Sequence, residues 1–159
     1  MNIADAIILI AIIILFYIGY TDFKNYKIEN IQILLMLFLF TFWKIIYFDE
    51  YFWLDMTIGC VFFIIGFVAW LAKGIGAGDA KLFFIAGIYS GYEYAGYFAI
   101  FLFISGLIFI LIKFILRRFE YVPVVLFGRL VEISKTKKLP YGVPLAASTI
   151  GALILRLNS

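Results

Sequence analysis

Histidine is absent from the 159 residues, cysteine occurs once, and charged residues make up only 14%. Without histidine, a Ser-His or Cys-His nucleophile pair is impossible, as is a zinc site of the His-Glu-x-x-His kind. The lone Cys60 can form no intrachain disulfide and supplies no Cys-x-x-Cys metal pair. It lies in the apolar run Gly59-Cys60-Val61-Phe62 and reads as a small apolar residue. No cofactor and no metal site is expected. The net charge of +3 offers no concentrated basic face, so no nucleic-acid partner is expected either. Met1-Asn2-Ile3-Ala4-Asp5 lacks the basic start of a secretory signal, and no Ala-x-Ala cleavage site follows. The first apolar run is therefore expected to be a retained span.

What remains is oil. The chain is 66% hydrophobic and 21% aromatic, with a mean hydropathy of +1.11. Soluble domains are about half apolar and about a quarter charged, so this excess requires lipid as solvent. Apolar segments run at roughly 4–20, 31–48, 53–72, 80–92, 95–116 and 141–157. The expected fold is all-α: a polytopic bundle of about six transmembrane helices forming a single membrane-embedded domain over residues 1–159, without a separate soluble or cysteine-rich module. The fourth segment is short, and completes a crossing if the glycine-rich stretch before it also lies in the membrane, sheltered by protein.

Charge placement sets the expected orientation. Lys24 and Lys27, then Lys73 and Lys81, then Lys113, Arg117, Arg118, Arg129, Lys135, Lys137 and Lys138 lie in or beside three alternate linkers. Asp49, Glu50, Asp55 and Glu93 surround the other two. The positive-inside bias makes the basic linkers cytoplasmic and puts both termini outside. Lys44 and Arg156 fall elsewhere and are expected to snorkel from helix ends. Within the linker 117–140, the apolar stretch from Val122 to Val131 and the basic run after it suggest a surface-lying amphipathic segment, or a flap over a site.

Two acids stand out against this background. Asp22 follows the first span and Asp79 follows the third, so parity brings both to the cytoplasmic edge although they are far apart in sequence. A carboxylate at the end of an apolar span is costly and marks a candidate site. Paired carboxylates share a proton and titrate as a unit, which suits one to activate water while the other polarises a carbonyl. Asp79 closes the run Gly74-Ile75-Gly76-Ala77-Gly78-Asp79, a poor sequence for continuous helix, and is expected to open the short fourth helix near its dipole. A plain interfacial turn with a capping Asp is the alternative there, and a loop acid paired to Lys24 or Lys27 is the alternative for Asp22. Leu139-Pro140-Tyr141-Gly142-Val143-Pro144 interrupts hydrogen bonding where the last span begins. It either starts a helix or presents backbone to an extended peptide.

Asp22 with Ile28-Glu29-Asn30, then Gly76-Ala77-Gly78-Asp79-Ala80-Lys81, then Pro140-Tyr141-Gly142-Val143-Pro144 together resemble the motif series of type IV prepilin peptidases. These include the short forms serving Tad-type pili and the archaeal preflagellin peptidases. The resemblance implies an inner-membrane aspartic endopeptidase that removes the short basic leader of pilin-like precursors at the cytoplasmic face. It implies Asp22 and Asp79 as the catalytic pair, with Gly76, Gly78, Lys81, Pro140, Tyr141, Gly142 and Pro144 in substrate-binding or supporting places. Partners are then a pilin-like precursor and the lipid bilayer. Glu29 stands where the family commonly has proline, and the paired-cysteine domain of larger members is missing, so methyl transfer is not expected. Proteases that cut inside transmembrane helices, of the presenilin or signal peptide peptidase type, share the acid logic but place their aspartates deeper. The alternative outside proteolysis is a small transporter or proton-conducting protein using Asp22 and Asp79; a non-catalytic assembly subunit leaves the glycines and paired acids unexplained.

Overall fold

In the computed structural model, which describes residues 3–118 and 139–158, the apolar runs form five helices. They are α1 (Ile3–Asn25), α2 (Asn30–Ile46), α3 (Phe52–Leu71), α4 (Ala77–Arg118) and α5 (Gly142–Leu157). No strand occurs among the described residues. The Val122–Val131 stretch and the basic run after it lie outside them. Helices α1 and α3, and residues 77–116 of α4, are long and apolar enough to cross a membrane, while α2 and α5 are shorter apolar helices. Large side chains such as Phe38, Ile64, Phe103 and Phe114 point outward all round. Such a surface suits hydrocarbon, and the protein is a helical membrane protein.

Hydroxyls inside the bundle bond back to their own helices. Ser90 Oγ donates to Ala86 O at 2.7 Å, and Thr149 Oγ1 to Leu145 O at 2.7 Å. With no water available, this is how a polar side chain is satisfied in lipid.

Helix ends alternate between two ends of the bundle. At one end, Gly78 packs on Ile28, Lys81 Nζ donates to Asn30 Oδ1 at 2.8 Å, and Gly142 meets Asp22. At the other, Lys44 pairs with Asp55, and Arg156 Nη1 donates to Tyr89 O at 3.2 Å. Helix α3 lies along α4, and α5 packs against both α1 and α4. The α3–α4 contact is set by glycine: a methyl group on Gly87 would lie 2.6 Å from the Gly59 Cα. Small residues are what let two backbones approach closely in a membrane.

Two expectations are corrected. The fourth and fifth apolar segments are not joined by a loop around Glu93; they are two arms of α4, 77–90 and 92–118, meeting at Gly91 (φ 65°, ψ −176°). Asp55, expected beside the outward linker and within the third apolar segment, is buried in the first turn of α3. Lys44 does not snorkel: it is buried, with its Nζ 2.7 Å from Asp49 and 2.8 Å from Asp55, and Arg156 packs its guanidinium 4.4 Å from the Trp43 ring. The break in α4 gives the physical reason for Asp55 and Arg156, and Lys44 is held in turn by the Asp55 and Asp49 carboxylates. A broken helix exposes backbone groups, and these charges satisfy them: Asp55 Oδ1 accepts from Tyr92 N–H at 2.9 Å, just as Arg156 caps the arm before the break.

Candidate active site

A helix that starts inside protein needs acceptors for its first N–H groups, and both aspartates serve that need. Asp79 is in the first turn of α4, and its Oδ2 accepts from Gly76 N–H at 2.9 Å, reaching back to the residue before the helix. Asp22, near the end of α1, accepts through Oδ2 from Gly142 N–H at 2.8 Å, at the start of α5. Each carboxylate therefore sits at the positive end of a helix dipole, which favours negative charge. One acid is held by its own helix and the other by a helix 120 residues away in sequence.

The two side chains are only 4% (Asp22) and 8% (Asp79) exposed, yet both line a single cavity of about 320 Å³. Its other walls are Tyr26, Lys73, Gly74, Ile75, Gly76, Leu139 and Tyr141. Two carboxylates that line one small space repel when both are ionised, which favours a proton shared between them. Asp79 Oδ1 is buried and makes no hydrogen bond to the described residues. A buried acceptor without a partner is costly, so this oxygen is poised to take a water or a peptide group.

The remaining sequence candidates divide by position. Gly76 and Tyr141 line the cavity, and Gly142 borders it through its bond to Asp22. Gly76 and Gly142 also leave no spare room, since an added Cβ would come within 3.1 Å of Asp79 Oδ2 and 2.8 Å of Asp22 Oδ2 respectively. Gly78 faces away, where a Cβ would lie 3.0 Å from that of Ile28. Lys81 is exposed and joins α4 to Asn30 rather than reaching the acids. Pro140 and Pro144 are buried at the start of α5; Pro144 O accepts from Ser148 and Ser105 hydroxyls. A proline in a first helical turn costs no hydrogen bond, which suits Pro144 to its place. Glu29 precedes α2, and its N–H donates to Gln32 Oε1 at 2.9 Å. Gln32 Nε2 in turn donates to Thr21 Oγ1 at 3.0 Å, tying α2 to α1 beside Asp22. Tyr26, Lys73, Gly74, Ile75 and Leu139 were not singled out as site residues from the sequence; the last three are apolar linker residues and gave no chemical signal.

A larger groove of about 480 Å³ opens between α2 and α3, with Leu37, Phe40, Phe52, Phe84 and Ile88 among its walls. It is mostly apolar, with Lys44 and Thr41 its polar lining residues, and holds neither Asp22 nor Asp79; the smaller polar cavity, which holds both acids, is the candidate site.

The family model described as Type IV leader peptidase family matches residues 9–114. No curated protein and no solved structure matches the chain.

Proposed function

From its membership of the type IV leader peptidase family, to which this chain belongs, we propose that the protein is an aspartic endopeptidase. Its catalytic pair is Asp22 and Asp79. It removes the leader of pilin-like precursors at the cytoplasmic face of the inner membrane. The observation that carries the reading is the shared cavity: two buried acids, remote in sequence, open into one space, each held by a backbone N–H at a helix start.

The chemistry runs on one proton shared by the pair. The ionised carboxylate takes a proton from water as the water oxygen bonds to the scissile carbonyl carbon, and the protonated carboxyl donates to the carbonyl oxygen. Collapse of the tetrahedral adduct breaks the C–N bond, and the proton drawn from water passes to the leaving amine. The bonds from Gly76 and Gly142 fix the carboxylates in advance, so little reorganisation is needed at the moment of reaction.

A transport reading draws on the second polar cluster, Lys44, Asp49, Asp55 and Arg156, at the opposite end of the bundle. Between the two clusters lie Ile18, Leu82, Ile85 and Leu145, all fully buried and apolar. A proton path needs free polar groups along the way, and the buried hydroxyls of Ser148 and Thr149 on α5 donate to carbonyls of their own helix instead. The test is direct: Asp22→Asn and Asp79→Asn are each expected to abolish cleavage of a co-expressed pilin-like precursor while the protein still inserts. Trimming at near wild-type rate by either variant rules out the two-aspartate mechanism.

A further inference from the structure

Among the described residues, two non-glycine residues have left-handed backbone: Tyr26 (φ 53°) and Lys73 (φ 59°). Both line the cavity that holds Asp22 and Asp79. Each sits just past the end of a helix. Tyr26 follows α1, with its N–H donating to Asp22 O at 2.8 Å. Lys73 follows α3 in a double-bonded terminus, its N–H donating to Trp70 O at 2.8 Å and that of Gly74 to Ala69 O at 2.9 Å. In that motif the left-handed place belongs to glycine by preference, because a Cβ there meets the backbone. Here the order is reversed: lysine takes the left-handed conformation, and Gly74, the next residue, has none. Backbone strain of this kind clusters at active sites and ligand clamps.

Several backbone donors around the acids are already committed. The lining N–H groups of Tyr26, Lys73, Gly74 and Gly76 are bonded within the protein, and that of Gly142 is spent on Asp22. A peptide crossing the acid pair brings several carbonyl oxygens that require donors. Among the described lining residues, Lys73 carries the one cationic side chain. We propose that Lys73 is a substrate-binding residue whose ammonium donates to a backbone carbonyl beside the scissile bond, with Tyr26 forming the opposite wall of the peptide's path. The assignment rests on the peptidase reading and extends it from the acids to the residues that hold the chain across them. An ammonium–carbonyl bond is charge-assisted and indifferent to side-chain identity, which suits a site that must grip extended backbone.

The test separates binding from folding by exploiting the strain. Lys73→Gly relieves the left-handed backbone, so thermal stability in detergent is expected to stay level or rise. Its kcat/KM on a purified pilin-like precursor is expected to fall about tenfold, chiefly through KM, as loss of a charged hydrogen bond to the bound peptide dictates. Lys73→Met keeps the strain, loses the charge and is expected to fall equally; Lys73→Arg is expected to stay within about threefold of wild type because it retains a cationic donor. Tyr26→Gly is expected to behave as Lys73→Gly does, with stability level or higher and lower activity. Wild-type kcat/KM in Lys73→Gly or Lys73→Met, alongside normal wild-type cleavage, overturns the assignment and leaves the peptidase reading standing. A fall in stability and activity together, not rescued by arginine, also overturns it. Failure of the wild-type protein to cleave any pilin-like precursor overturns the peptidase reading and this assignment with it.

Discussion

A single methyl group measures how tightly each carboxylate is held. On Gly142 it would lie 2.8 to 3.0 Å from three atoms of Asp22, a buried side chain. On Gly76 it would lie 3.1 Å from Asp79 Oδ2 alone, a contact that a few tenths of an ångström relieve. On Gly96 it would meet nothing within 4 Å. Cleavage by Gly142→Ala is therefore expected to drop by about a hundredfold, since misplacement of a reacting group by about 1 Å costs that much. Gly76→Ala is expected to lose less, and Gly96→Ala to match wild type; initial rates on one precursor rank the three. A Gly142→Ala enzyme faster than Gly76→Ala contradicts the packing. At this scale the sequence was legible where chemistry shows in residue type. Asp22 and Asp79 are acids in an oily chain and could be found by inspection. Tyr26 and Lys73 could not, because nothing in the letters Tyr or Lys announces a left-handed backbone; only glycine or asparagine does that reliably.

Helix α4 depends on a break that other helices make tolerable. Gly91 has a backbone conformation that favours glycine, and a Cβ there would come 2.5 Å from Asp55 Oδ1. That same oxygen caps Tyr92, while Asp55 Oδ2 pairs with Lys44 at 2.8 Å. Removing one member of a buried pair leaves the other uncompensated, at a cost of about 3 kcal/mol. Asp55→Leu is expected to lose about that much, moderated by the second bridge from Lys44 to Asp49, and Gly91→Ala to lose a similar amount of about 3 kcal/mol from backbone strain and displaced Asp55. Unfolding of the purified variants in one detergent measures both; wild-type stability in Gly91→Ala means that the break is not a fixed feature of α4. Each of the six apolar segments was legible in the sequence and lies in a helix. The break falls at Gly91, two residues before Glu93, the acid from which a linker was read, and it joins two arms of one helix rather than opening a loop. What selects Gly91 is Asp55, a partner 36 positions earlier that no local pattern reveals.

For the whole molecule, the helices are apolar on the faces that pack and on the faces that meet lipid, so no stripe tells one from the other. That is why the sequence shows which segments are helices but not that α5 sits against both α1 and α4. Parity was easier to read, because charge bias in the linkers is a signal independent of packing. It predicts that the Asp22 and Asp79 end, with Lys24, Lys27, Lys73 and Lys81 around it, faces the cytoplasm, and that the α2–α3 turn with Asp49 and Glu50 faces out. Impermeant thiol labelling tests this in intact cells, starting from a Cys60→Ala background. Glu50→Cys, on an exposed turn, is expected to label before permeabilisation, and Lys27→Cys, exposed at the other end, only after it. Labelling in the opposite order reverses the orientation and places the acid pair where no cytoplasmic leader can reach it. Labelling of both from one side breaks the alternation of helix ends, and with it the reason that two acids so distant along the chain share a cavity.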